Sequence, residues 1–144
     1  MPGKSVVFAN DLLKLIFHGT PIANVADNAA SSPLTEVYVA LHTADPGEAG
    51  TQSTNEVSYT GYARKSRVRT AGHWTVTNDV VSPAVDIDFP SREDVGSTSA
   101  THFSIGVAAS GASKILYLGT LSPAITITQG VTPRIKSTST ITEQ

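Results

Sequence analysis

Two carboxylates, Asp86 and Asp88, stand two residues apart in the run AVDIDF. On a strand that spacing puts both on one face, roughly 7 Å apart at a rise of ~3.4 Å per residue. An acid and base working on a glycosidic bond need a separation of that order. They must also flank a bound sugar in a cleft, which same-strand neighbours rarely do. V-D-I-D-F is what a half-buried strand writes, apolar in and charged out, and aspartates facing out keep a strand from pairing with strangers. The alternation accounts for the pair without chemistry.

Asp45 and Glu48 in ADPGEAG raise the question of a cation loop. A calcium hand needs carboxylates at alternate positions, then a glycine and a late bidentate glutamate. Here a proline separates the acids and the remaining ligand positions are empty, so the segment reads as a Pro-Gly turn. His18, His42, His73 and His102 are scattered, with none of the close spacings of a zinc site. His42 and His102 each fall in the polar phase of a strand, so both can decorate one sheet face. No G-x-S-x-G elbow supports a serine nucleophile. Cysteine is absent, which excludes disulfides and thiolate chemistry. The expectation is no catalytic residue, no metal ligand, no cofactor and no enzyme.

The run ARKSRVR (63–69) holds four of the ten basic residues, Arg64, Lys65, Arg67 and Arg69. On a strand Lys65, Arg67 and Arg69 share a face and Arg64 opposes them. A basic stripe can contact phosphates, but a nucleic-acid binder shows a wider footprint than this, and the chain carries a net charge of −2. The run reads as a contact for an acidic partner protein or as an edge strand protected by charge. Nucleic acid is not an expected partner. Neither is a membrane, since no apolar run approaches the ~20 residues a span needs. No export signal is visible at the N-terminus.

These residues must be carried by something. At 144 residues one domain with one buried core is expected. Only residues 1–19 have a helical period, with Phe8, Leu12, Leu15 and Ile16 on one stripe, Ser5 as N-cap and Gly19-Thr20-Pro21 as the stop. That stripe reads as core, with a docking arm for a neighbouring subunit as the alternative use of Phe8 and Leu12. Residues 20–35 read as a loop. From 36 to 144 the period is two, in seven or eight short strands: 36–42, 62–69, 73–77, AVDIDF, 102–107, KILYLG, AITIT and a Thr-rich end. Such a pattern predicts a mainly β chain, a jelly-roll-like β-sandwich with one N-terminal helix. Charged residues are 15%, and small hydroxyl and apolar side chains dominate, a composition that loses little side-chain entropy when covered by a neighbour.

Taken in order, NDLLKLIFHGT, EVYVALHTADPGEAG, GYAR, the Trp74 of HWTV, IDFP, THFSIGVAASG, LYLGTLS and GVTPRI resemble a family of small tailed-bacteriophage virion proteins. The resemblance covers nearly the whole chain. It implies a structural role, and members often carry the label tail fibre protein. It also resembles that of capsid decoration, or cement, proteins of β-sandwich fold. The resemblance does not choose between head and tail; the function expected is a cement protein made in the host cytoplasm and bound to the phage head surface. There it would stabilise the shell by contact with the major capsid protein, as a dimer or trimer. A tail or tail-fibre component is the alternative, and a virion-associated glycan hydrolase the third reading. ARKSRVR and SREDVG are more charged than the family pattern. The partner-binding residues expected are Arg64, Lys65, Arg67, Arg69, Phe8 and Leu12.

Overall fold

In a computed structural model, residues 5–22 and 34–143 are described. They are mainly β, with three sheets of a sandwich-like fold and one short helix at the N-terminal end. The chain divides into two compact units.

The first unit draws on Met1–Glu36, Val68–Asp86 and Lys136–Gln144. Helix α1 (Val6–Leu13) starts where expected, because the Ser5 hydroxyl accepts the Phe8 N–H at 3.2 Å. It runs into a π-helical turn, Lys14–His18, closed by Gly19 at φ +67°. The sheet order is β3 (Trp74–Thr77), β4 (Val80–Pro83), β9 (Ile141–Thr142), all antiparallel. α1 packs on β3 and β4.

The helical stripe that is buried differs from the expected one. Ala9, Leu13 and Phe17 are enclosed, while Phe8 is 38% exposed and Leu12, Leu15 and Ile16 are only half-buried. Both stripes are apolar at helical spacing, so periodicity alone does not choose between them. Phe17 decides it by meeting Trp74 edge-on, ring centroids 4.6 Å apart.

The second unit, Val37–Arg67 with Ile87–Ile135, carries a four-stranded sheet in the order β2 (Lys65–Val68), β1 (Glu36–His42), β6 (Ser97–Gly106), β7 (Ile115–Thr128). β5 (Ile87–Asp88) and β8 (Arg134–Ile135) form a two-stranded ladder. β1 and β6 pair antiparallel from Tyr38↔Gly106 to His42↔His102. Val39, Leu41 and Ile105 point to the core, as the alternation of β1 and β6 dictates. Tyr59, Tyr62 and Phe89 build an aromatic layer, with Tyr62 stacked on Phe89 and edge-on to Tyr59.

Two strand expectations change. AVDIDF is not one strand: the chain bends after Pro83, leaving Val85 51% exposed, and only Ile87–Asp88 enters a ladder. KILYLG and AITIT, expected as separate strands, are parts of the single β7. Its register with β6 jumps from Ala100↔Ile125 to His102↔Thr120, so 121–124 bulge out without ending the strand.

Candidate functional site

The basic run does not form one surface. Arg64 lies just before β2 and is 8% exposed. Its Nε and Nη2 donate to the two carboxylate oxygens of Glu56 at 2.7 and 2.8 Å. Nη2 also reaches the Gly111 carbonyl at 2.7 Å. Nη1 is shared among the Ala108 carbonyl at 3.0 Å, the Ser113 hydroxyl at 3.1 Å and Gln52 Oε1 at 3.4 Å. Every N–H of the guanidinium is engaged, which is the condition for burying such a charge. Hydrogen bonding to Glu56 raises its pKa above the usual value against the effect of burial. Arg64, expected as a partner contact, instead lies buried and ties the 51–57 and 108–113 segments together inside the molecule.

Arg69 is also bound within its own unit. Its guanidinium donates to the carbonyls of Ile16 and Leu34, each at 2.5 Å, and to that of Leu15. A cation there satisfies carbonyls left over at a helix C-terminal end. Lys65 is exposed, and Arg67 is half-buried. Both act on Asp88, whose carboxyl is held below the usual carboxylate range first by the hydrogen bonds from Arg134, at 2.5 and 2.9 Å, and then by Arg67 and Lys65. Of the six expected contact residues, Lys65, Phe8 and, in part, Arg67, Arg69 and Leu12 have surface to offer.

The chemically suggestive groups are absorbed into structure. Asp86 Oδ1 accepts the Ser137 N–H at 2.8 Å, and Asp88 is engaged by Arg134. Asp45 Oδ1 accepts the Gly47 N–H at 2.8 Å, and the Asp45 carbonyl accepts from Asn55 Nδ2, as a turn role requires. Among the described residues, no three His, Asp or Glu side chains gather as a metal would need, and no helix is long and apolar enough to cross a membrane.

His42 and His102 are direct cross-strand partners, so they share a face as expected. His42, however, is fully enclosed rather than decorating that face. Its Nε2 lies 2.8 Å from Ser104 Oγ and its Nδ1 2.8 Å from the Thr54 carbonyl. A serine beside a histidine is the start of a nucleophilic site. Here both residues have no exposed surface, and the third member is a neutral carbonyl. Gln52, also buried, bridges this pair to Arg64: its Nε2 donates to the Tyr38 carbonyl at 2.9 Å and to Ser104 Oγ at 3.3 Å, while its Oε1 accepts from Ser113 at 2.8 Å. Gly106 makes room for it, since a Cβ there would stand 2.1 Å from the Gln52 amide carbon. Tyr62 completes the cluster, accepting the Leu41 N–H and donating to Glu56, both at 3.1 Å, with burial pushing its phenol well above the usual range.

The surface that residue-by-residue reading missed is β7. Among the described residues it has a hydrogen-bonded neighbour, β6, on one side only. It is 14 residues long, and all but Ile127 are at least partly exposed. From Ile115 to Pro133 there is no Asp, Glu, Lys, Arg or His. That silence in charge was the available signal. The opposite edge, β2, carries Lys65 and Arg67, so the two edges of this sheet differ: one is guarded by charge and the other is not.

In comparison with known proteins, the family model described as Podophage GP4 fiber I protein gp80 matches residues 3–143. No curated protein matches the chain.

Proposed function

The chain belongs to the podophage GP4 fiber I protein gp80 family, a family of phage virion structural proteins, and on that premise we propose that it is a non-catalytic building block of a tail fibre, assembled through contacts between copies along β7. The observation that carries the assembly is the uncharged, one-sided β7 edge. On either side of the 121–124 bulge, an edge without charge is a template for another strand. Pairing with β7 of a second copy is isologous and closes on itself, whereas the charged β2 edge discourages growth into an open sheet. An interface of ordinary size buries ~1,600 Å², and side chains such as Thr120, Ala124 and Thr126 can be covered without stranding a charge.

Sedimentation of the purified protein tests the assembly. A discrete oligomer is expected, and Thr120→Lys with Thr126→Lys shifts it to monomer while leaving the far-UV circular dichroism unchanged. A wild-type monomer at all concentrations overturns it. Location is read separately, by adding the protein to heads and to tails lacking it and counting copies in each pellet. Copies on tails support the fibre reading. Saturation of heads at a simple ratio to the major capsid protein would replace it with shell decoration. The non-catalytic reading predicts that Asp86→Asn with Asp88→Asn leaves particle binding intact; loss of a glycan-cleaving activity on that change would overturn it.

A further inference from the structure

We propose that the His42–Ser104–Gln52 chain is an acid-sensitive latch on the surface segment 43–57. The directions of its hydrogen bonds are forced. The Thr54 carbonyl can only accept, so His42 Nδ1 carries the proton and Nε2 is an acceptor in the neutral ring. Ser104 therefore donates its hydroxyl proton to Nε2, and its oxygen accepts from Gln52 Nε2. Gln52 Oε1 in turn accepts from Ser113 and Arg64, so no member can reverse alone.

The segment is seated by this chain, by the Arg64 and Tyr62 hydrogen bonds to Glu56, and by main-chain bonds. Thr43 N donates to the Asn55 carbonyl at 2.8 Å, Val57 N to Leu41 at 2.9 Å, and Gln52 N to Ser113 at 2.9 Å. A proton on Nε2 turns that nitrogen into a donor aimed at Ser104 Oγ. The serine proton is then displaced from its acceptor, and an imidazolium is enclosed out of reach of bulk solvent. The charged groups acting on it are Glu56 from the segment, Arg64 beside β2 and His102 across the ladder. Glu56 is already engaged by Arg64 through both oxygens, so it is a poor counter-ion for a second cation. Moving 51–57 off the sheet lets water reach the ring, and the cost of the charge disappears.

The pH window follows from the same enclosure. Burial, ahead of every other cause, holds His42 below its ordinary 6.5 while the segment is closed. An open segment protonates near the ordinary value of ~6.5. The open form therefore binds the extra proton between those two values, and opening is promoted as pH falls below about 6.5.

Amide exchange of 43–57 in the full chain, corrected for the intrinsic pH dependence of exchange, tests the latch. One proton's linkage raises the opening equilibrium by up to about fivefold from pH 6.5 to pH 5.5, the limit in which the closed ring stays neutral. His42→Gln keeps a donor for Thr54 and an acceptor for Ser104 but cannot titrate, so its profile is flat. A wild-type profile that is flat, or a His42→Gln profile parallel to wild type, overturns the proposal. Should that variant not fold, nitrogen NMR of the wild-type His42 ring decides: Nδ1–H with no titration while 43–57 stays protected supports the latch. Titration near pH 6.5 with full protection overturns it.

Discussion

Arg64→Met destabilises the second unit by on the order of 3–5 kcal/mol, measured as a fall in the urea midpoint. The size comes from what is left behind more than from what is removed. Arg64 and Glu56 have side-chain exposures of 2% and 17%, so the substitution strands a carboxylate in a largely dry place. It also leaves the carbonyls of Ala108 and Gly111 and the hydroxyl of Ser113 without their donor. Adding Glu56→Gln to Arg64→Met recovers part of the loss, because the remaining group is then polar but uncharged. Arg64→Lys recovers less than its charge suggests, since an ammonium cannot span both Glu56 oxygens and the 108–113 segment at once. An Arg64→Met protein that unfolds within 1 kcal/mol of wild type would mean the network is wet and the residue peripheral.

Trp74→Ala costs the first unit about 3–5 kcal/mol, the range for emptying an enclosed aromatic site. Trp74 is 2% exposed, sits edge-on to Phe17 and faces Pro83 across the β3–β4 ladder. Its carbonyl lies 3.0 Å from His18 Nε2, a contact that the substitution keeps because it belongs to the main chain. The indole N–H is buried with no hydrogen-bond partner. Trp74→Phe therefore loses volume but also removes an unpaired donor, and its cost falls well below that of alanine. Thermal unfolding of both variants checks the order. Equal losses for phenylalanine and alanine would mean that the indole N–H is satisfied by water in solution.

Features set by neighbours in sequence were legible before any coordinates. Ser5 and Gly19 bracket the helical segment, Asp45-Pro46-Gly47 makes its turn, and β1 and β6 alternate as their residues demand. The likeness to phage virion proteins was equally on the surface of the text, and so was the charge-free stretch from Ile115 to Pro133, which the reading of single residues passed over. Each depends on φ preferences, on a period of two, or on composition, all of which act within a few residues.

Tertiary structure decided the rest. The helical period allowed two apolar stripes, and packing of Phe17 on Trp74 selected Ala9, Leu13 and Phe17. Arg64 read as a surface cation because burying a guanidinium is costly unless five donors find acceptors. Those acceptors come from residues 8 to 49 positions away, a distance over which no local pattern reports. His42 was placed on the correct face yet on the wrong side of the solvent boundary, because the 51–57 segment folds over it. Which polar groups are buried is a property of the folded whole, since only there can the partners that make burial tolerable be brought together.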